Sequence, residues 1–261
     1  MNRYKKDARS GLVVKENTKV GIALLLLLSG LAIAGLFIVL FAELADEVMS
    51  QEFGLFDSFI IKLILVNQSQ AMDMIMVFIT ELGSVWFLGT LSLIIVLALW
   101  FKGKDRWGAL FFIIAVGGGG LLTTLLKHFY GRERPSINEE IDAVGFSFPS
   151  GHSMGSLIFY GFVIFLIIRG PQKEWIKWAV SISLAVLVVL IGTSRIYLGA
   201  HFPSDVAAGY IAGLIWLLLC LTALEWISWQ TGSHIRPVKG LRNMLKSGLR
   251  MAKGKAGNLK R

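Results

Sequence analysis

The chain has 261 residues, of which 55% are hydrophobic and only 16% are charged, and its formal net charge at pH 7 is +9. The charges are concentrated in short polar stretches between long uncharged blocks. This pattern excludes an ordinary soluble domain and indicates a polytopic membrane protein. The single cysteine, Cys220, excludes a disulfide within the chain.

Six apolar segments are candidates for membrane-spanning helices. They are residues 20–42, 84–101, 107–126, 153–168, 178–193 and 206–224. A helix needs about 20 apolar residues to cross about 30 Å of hydrocarbon, so the fourth and fifth segments must include polar residues at their ends. The first segment is too long for a signal-peptide core and is followed by no small-x-small cleavage site, which predicts a retained span.

The predicted fold class is all-α, a polytopic membrane bundle of six transmembrane helices with an additional outer interfacial helix. The segment 43–83 begins too polar for a span, but "LFDSFIIKLILV" within it predicts an interfacial helix with Phe56, Phe59, Ile60 and Leu63 on one apolar face. "GGGG" at 117–120 favours close helix packing. We expect a membrane domain at 20–227 between basic tails at 1–19 and 228–261.

The basic residues predict the orientation. With six spans, both tails and the loops at 102–106 and 169–177 lie on one side and together hold 21 of the 26 Lys and Arg residues. The positive-inside rule makes this side cytoplasmic, together with both termini. We expect the basic tails to contact anionic lipid rather than nucleic acid.

Three polar stretches fall on the opposite, outer side. They are "KHFYGRERP" at 127–135, "GFSFPSGHS" at 145–153 and "GTSRIYLGAHFPSD" at 192–205. Two antiparallel pairs of helices would bring all three to one depth in the membrane. Lys127, Arg134 and Arg195 would each cost several kcal/mol there without an anion. Phosphate, with its negative charge and several acceptor oxygens, is a suitable partner.

The other polar residues of these stretches suit phosphate chemistry. "PSG" at 149–151 begins a helix, whose unpaired N–H groups and positive dipole end bind phosphate oxygens. Ser150 either adds its hydroxyl or acts only as an N-cap. His201 precedes Asp205 by four residues, so the carboxylate can accept the Nδ1 proton and leave Nε2 as a nucleophile. His152 is then a candidate general acid.

Each stretch also has a plainer interpretation. His201 and Asp205 can form a helix cap, and Lys127 can extend its amine towards the interface. Arg195 can pair with Asp205 alone, and Arg134 can belong to a turn. Two histidines and an aspartate can also hold a metal, although the chain has only 4 histidines and these stretches contain no carboxylate cluster. The coincidence of all three stretches on one side favours a phosphate site.

Together the stretches resemble the signature of the type-2 phosphatidate phosphatase superfamily, membrane lipid phosphatases related to vanadium haloperoxidases and bacterial acid phosphatases. The pattern is K-x6-R-P at 127–135, P-S-G-H at 149–152 and S-R-x5-H-x3-D at 194–205, with every signature position present in order. The six-span layout extends the resemblance to about residues 20–225. Both tails and the segment 43–83 lie outside it.

The resemblance implies that His201 is the nucleophile, that Asp205 orients it and that His152 is the acid. The phosphate ligands that it implies are Lys127, Arg134, Ser150, Gly151 and Arg195. It does not settle the roles of four further polar residues nearby, which are Tyr130, Arg132, Ser194 and Tyr197.

The expected activity is hydrolysis of a lipid phosphate or diphosphate at the outer face through a phosphohistidine, with no metal or other cofactor. Undecaprenyl diphosphate, phosphatidylglycerol phosphate and phosphatidate are the candidate substrates. A phosphotransferase that uses the same site is one alternative. A non-catalytic anion- or lipid-binding protein is another, but the chain lacks the internal repeat typical of transporters. The oligomeric state is not indicated by the sequence.

Overall fold

The computed structural model describes residues 3–66, 68–135 and 145–230, with backbone alone for residues 3–23, 25 and 26. These residues form α-helices, and no strand occurs among them. The helices are α1 (Arg3–Met49), α2 (Gly54–Leu65), α3 (Gln70–Glu81), α4 (Val85–Leu97), α5 (Arg106–Tyr130), α6 (Gly151–Arg169), α7 (Glu174–Tyr197) and α8 (Pro203–Gln230). A π-helical turn, Ala98–Lys102, continues α4. The predicted all-α class is confirmed.

Six helices of the described part are long and apolar enough to cross a membrane, or seven if the bent pair α2 and α3 is counted as one span. They are Leu27–Met49, Val85–Lys102, Arg106–Tyr130, Gly151–Arg169, Glu174–Tyr197 and Pro203–Gln230. The fourth and fifth spans reach 19 and 24 residues because α6 and α7 include polar residues at their ends. The chain is a multi-pass membrane protein.

Helix α1 includes the predicted apolar segment 20–42 and continues beyond it to Met49. Its last turns, which the sequence assigned to the outer segment, pack against the bundle. Ala45 and Val48 are buried against Phe148 and Ala208, whereas the acidic side chains of these turns are exposed.

The outer segment forms two short helices, α2 and α3, where the sequence predicted one. Three residues of the predicted apolar face of α2, Phe56, Phe59 and Leu63, are exposed and point away from the bundle. The fourth, Ile60, is partly buried. The side chain of α2 that is buried is a carboxylate, Asp57, with 2% of its surface exposed. The segment is therefore amphipathic in an unusual sense, because it places a charge against the protein and apolar groups outside.

The core lies between α5, α6, α7 and α8, where Phe112 packs edge-to-face against Phe159 and Phe162. Glycines allow these helices to approach one another. A Cβ at Gly118 or Gly119 would collide with Trp216 or Ile158, respectively, whereas Gly117 and Gly120 face open space. The predicted close packing at "GGGG" is therefore confirmed for its two central glycines.

The basic C-terminal tail was predicted to begin at residue 228. Helix α8 continues to Gln230, so residues 228–230 belong to the last helix. Residues 231–261, and with them the expected contact of this tail with anionic lipid, lie outside the described residues.

Candidate active site

The three polar stretches meet at one end of the bundle. Lys127 lies in the last turn of α5, and Arg195 lies in the last turn of α7. At the same end α6 begins at Gly151, and α8 begins two residues after His201. Because neighbouring helices run antiparallel, the ends of two helices meet the beginnings of two others, as the sequence predicted.

His201 is almost completely buried, with 2% of its surface exposed, in the turn between α7 and α8. Its Nε2 atom lies 3.4 Å from Nη1 of Arg134. The same Arg134 nitrogen donates a hydrogen bond to the carbonyl oxygen of Ala200 at 2.7 Å. A guanidinium group can only donate, so this neighbour favours the tautomer in which Nε2 presents its lone pair.

Asp205 is fully buried and close to His201, but the predicted direct hydrogen bond is not formed. Nδ1 of His201 lies 3.6 Å from Oδ2 of Asp205, within ion-pair range but longer than a hydrogen bond. Oδ2 accepts hydrogen bonds from Ser147 Oγ at 2.6 Å and from the Phe202 N–H at 2.9 Å. Oδ1 accepts one from Arg132 Nη1 at 2.6 Å. These donors hold the carboxylate beside the imidazole.

The cations Lys127 and Arg195 approach the site from α5 and α7. Nη1 of Arg195 donates to the Thr80 hydroxyl at 2.9 Å, and its buried Nε has no hydrogen-bond partner among the described residues. This contact replaces the plainer alternative in which Arg195 pairs with Asp205. The amine of Lys127 donates to the carbonyl oxygen of Phe146.

His152 lies among these charges in the first turn of α6. The electrostatic effects of Arg195, Lys127 and Arg134 all reach its imidazole. The charge of Asp205 opposes those of Lys127 and Arg134, and the charge of Glu81 opposes that of Arg195. The arrangement is short of negative charge, which is the condition for binding an anion.

The side chain of Ser150 caps the beginning of α6. Ser150 is buried, and its hydroxyl oxygen accepts from Ser153 N–H at 3.4 Å and from Ser153 Oγ at 2.9 Å, as an N-cap does. A Cβ at Gly151 would lie 3.3 Å from Thr123 and 3.8 Å from the Cε atom of Lys127. The absence of a Cβ at Gly151 therefore avoids a tight contact with Thr123 of α5, whereas the distance to Lys127 is an ordinary van der Waals contact.

Burial determines the protonation state of His201. It lowers the pKa of His201 to about 4, with Asp205 opposing the shift and Lys127 and Arg134 adding to it. Burial also lowers the pKa of Arg134, again against the effect of Asp205. His201 is therefore neutral at pH 7, and its lone pair is available without prior loss of a proton.

The structure adds three residues that the sequence did not assign to the site. Arg132 and Ser147 bind Asp205 directly, and Arg132 also binds Asp57 at 3.1 Å. The sequence left the role of Arg132 open, and no sequence pattern indicates Ser147. Asp57 could have been found, because it is a lone carboxylate in an apolar helix and such a group needs a partner near a membrane.

Tyr130, Ser194 and Tyr197, whose roles the sequence left open, contact residues other than the two histidines and Asp205. Tyr130 packs edge-to-face against Phe148. Ser194 Oγ donates to the carbonyl oxygen of Ile191 at 2.6 Å, and the Tyr197 hydroxyl donates to Asp73 at 2.6 Å. Within residues 3–66, 68–135 and 145–230, His, Cys, Asp and Glu side chains form no group of three that could hold a metal ion.

The described residues include six apolar helices, and one end of this bundle carries a buried histidine, a carboxylate and several cations. This combination is typical of a membrane protein that acts on an anionic group. The profile of the PAP2 superfamily matches residues 107–229. The chain belongs to this superfamily, and it is a membrane lipid phosphatase, as its relatives' names support.

Both sequence and structure comparisons find related phosphatases. Phosphatidylglycerophosphatase B of Bacillus subtilis is 36% identical over 146 residues, which are 56% of this chain and 71% of that protein. Undecaprenyl-diphosphatase of Sulfolobus acidocaldarius is 29% identical over 193 residues, 71% of this chain and 82% of that protein. A crystal structure of a transmembrane PAP2-type phosphatidylglycerolphosphate phosphatase from Bacillus subtilis superposes with a TM-score of 0.65 at 31% identity, covering 72% of this chain and 94% of that one.

Proposed function

We propose that the protein hydrolyses the phosphate or diphosphate group of a membrane lipid at the outer face, through a phosphohistidine formed on His201. The observation that carries the proposal is that cationic side chains surround the buried imidazole of His201. Its Nε2 atom faces Arg134 at 3.4 Å, and Lys127 and Arg134 both act on its charge. A phosphoryl group at Nε2 would meet cations from several helices at once.

In the first step the lone pair of Nε2 attacks phosphorus. The bond from phosphorus to Nε2 forms while the bond from phosphorus to the leaving oxygen breaks. His152, which holds a proton once the negatively charged phosphate group of the lipid is bound beside it, transfers this proton to the leaving oxygen. Lys127, Arg134 and Arg195 compensate the negative charge of the three remaining phosphoryl oxygens, and Asp205 compensates the positive charge that develops on the imidazole.

In the second step water attacks the phosphohistidine. His152, now neutral, takes a proton from the water as the new oxygen–phosphorus bond forms and the bond from phosphorus to Nε2 breaks. Inorganic phosphate and neutral His201 are left. The same residue thus acts as acid in one step and as base in the other, which restores the enzyme without an external proton carrier.

Two observations support a lipid substrate at the outer face. Helices apolar enough for the membrane surround the site, and its residues lie at the ends of these helices. The loops at the opposite end of the bundle carry Lys102, Lys104, Arg106 and Lys173, which the positive-inside rule assigns to the cytoplasm. The names of the relatives add phosphatidylglycerol phosphate and undecaprenyl diphosphate as substrates to test, with phosphatidate as a third.

The proposal is tested by phosphate release from these three lipids with purified protein. Replacing the nucleophile in His201→Ala should lower kcat by about 10³-fold or more, as removal of a nucleophile does in covalent catalysis. Radioactive phosphate from labelled lipid should form an acid-labile, base-stable adduct in the wild type and not in His201→Ala.

The matched control is His128→Ala, which removes an exposed imidazole at the same end of the bundle. His128 contacts the Thr124 carbonyl oxygen of its own helix at 2.8 Å and is not a signature position of the motif at 127–135. This variant should keep wild-type turnover. Phosphate release by His201→Ala at the wild-type rate would contradict the mechanism.

A further inference from the structure

A carboxylate outside the region that matches the family profile is joined to the catalytic one. Asp57 of α2 is 2% exposed. Its Oδ1 accepts from the Ser204 N–H at 2.8 Å, and its Oδ2 accepts from the Ser204 hydroxyl at 2.7 Å and from Arg132 Nη2 at 3.1 Å. Ser204 directly precedes Asp205, so α2 is bound at the point where the last helix carries its catalytic side chain.

Arg132 is shared between the two carboxylates. Its Nη1 atom donates to Asp205 Oδ1 at 2.6 Å and to the Ser204 hydroxyl at 2.9 Å, while Nη2 binds Asp57. The guanidinium carbon lies 4.2 Å from the centre of the Phe202 ring, which fixes the plane of the group. Asp57, Arg132 and Asp205 therefore form one charged cluster, in which the guanidinium group lies between the two carboxylates.

The net charge of Asp57, Arg132 and Asp205 determines how well this cluster stabilises a positive charge on His201. Arg132 and Asp205 alone would form a neutral pair, and a neutral pair offers His201 little compensation when its imidazole becomes a phosphorylated cation. With Asp57 included, two carboxylates face one guanidinium, and the group carries one net negative charge. In a buried site such a charge is weakly screened, so its presence matters for a cation that forms a few ångströms away.

We propose that Asp57 is a positioning residue that balances Arg132, so that Asp205 retains a net negative charge towards His201. The inference rests on the proposed phosphohistidine mechanism. Asp57 touches neither substrate nor imidazole, and it acts through Arg132 and Ser204. The outer segment is thus part of the catalytic machinery, although it lies outside residues 107–229 that match the superfamily.

A purely structural role for Asp57 would be that of a cap. It accepts a backbone N–H in the first turn of α8, where a carboxylate or an amide oxygen stabilises a helix. The two roles demand different properties of the side chain. A cap needs an acceptor of the right length, which Asn supplies, whereas charge balance needs a negative charge, which Glu supplies.

The first test compares Asp57→Asn with Asp57→Glu. If charge balance is the role, Asp57→Asn should lower kcat by on the order of 10- to 100-fold, the range of interaction energies between directly coupled residues. KM should change by less than about threefold, since the phosphate ligands are untouched. Asp57→Glu should keep a higher kcat than Asp57→Asn. A kcat of Asp57→Asn equal to or above that of Asp57→Glu would overturn the proposal.

The second test removes the charge that Asp57 balances. Asp57→Asn combined with Arg132→Gln again carries one net negative charge, so its kcat should exceed that of Asp57→Asn alone by about tenfold. A cap function predicts the opposite order, because the double variant loses more hydrogen bonds. The matched control is Glu52→Gln, which removes an exposed carboxylate from the same outer segment and should keep wild-type kcat.

The third measurement needs no turnover and therefore separates this proposal from the proposed function. Nitrogen NMR of histidine-labelled protein at neutral pH reports the tautomer of His201, assigned by loss of its signals in His201→Gln. The wild type should carry the proton on Nδ1, facing Asp205. Asp57→Asn should lower that fraction, and the double variant should restore it. An unchanged fraction in Asp57→Asn would overturn the charge balance, and absent phosphate release by the wild type would overturn only the proposed function.

Discussion

At His201, burial has a larger effect on the imidazole than its nearest carboxylate. The pKa falls to about 4 although Asp205 raises it, because removal of the ring from water disfavours the charged form more than one carboxylate at 3.6 Å favours it. The consequence is a neutral imidazole over the whole physiological range. In the proposed mechanism the carboxylate acts later, when phosphorylation gives the ring a positive charge.

This pKa predicts how stability depends on pH. Between pH 6.5 and 4 the unfolded chain binds a proton at His201 that the folded chain does not, so stability is lost as the pH falls through this range. The contribution of His201 should fall by about 2 kcal/mol between pH 7.5 and pH 5. Thermal unfolding in detergent should therefore show a smaller loss of stability on acidification in His201→Gln than in the wild type. Equal losses would place the pKa near its ordinary value.

At the scale of helices, the site depends on how closely α8 approaches the beginning of α6. The Ser150 N–H donates to the Asp205 carbonyl oxygen at 3.0 Å, which ties the first turns of the two helices together. Gly209, one turn further along α8, makes this approach possible. A Cβ there would lie 2.7 Å from the Ser150 carbonyl oxygen and 3.1 Å from the Ser153 Cβ atom.

Gly209→Ala should therefore force the two helices apart. Overpacking of this kind costs about 1–3 kcal/mol, so the midpoint of thermal unfolding should fall by about 2–10 °C. Phosphate release should fall as well, because His152 on α6 and Asp205 on α8 move relative to one another. Gly120→Ala is the control, since a Cβ there meets open space, and it should retain stability and activity. A wild-type midpoint for Gly209→Ala would contradict this account of the contact.

For the whole molecule, the distribution of charge predicts which side of the membrane the site faces. The basic loops lie at the end of the bundle away from His201, and this end also holds an ion pair between Arg169 of α6 and Glu225 of α8 at 3.1 Å. The positive-inside rule then directs the site outward.

Cysteine labelling tests the orientation. In a Cys220→Ala background, Ser50→Cys and Gln172→Cys place one thiol at each end of the bundle, at positions that are exposed. A membrane-impermeant maleimide should label Ser50→Cys in intact cells and Gln172→Cys only after permeabilisation. The reverse pattern would place the active site on the cytoplasmic side and contradict the proposed topology.

Much of this protein was predictable because its signals are local. Hydropathy predicted the spans, since every backbone group in a membrane must be paired within a helix. The continuation of α1 to Met49 was not predicted, because a count of apolar residues does not show that Ala45 and Val48 are buried while the charges beside them are exposed. The three polar stretches were found for a further reason, since buried cations without an anion are too costly to be incidental.

By itself, the sequence determined the class of protein, the number of apolar spans and the set of residues that meet at one end of them. Those properties depend on composition and on spacing along one helix or turn. The tertiary structure decided which atoms face each other: that Arg195 binds Thr80, that Asp205 lies just beyond hydrogen-bond distance from His201, and that Arg132 is shared with Asp57. Such contacts join residues up to 147 positions apart in the chain, and their distances depend on how helices pack, which no local pattern specifies.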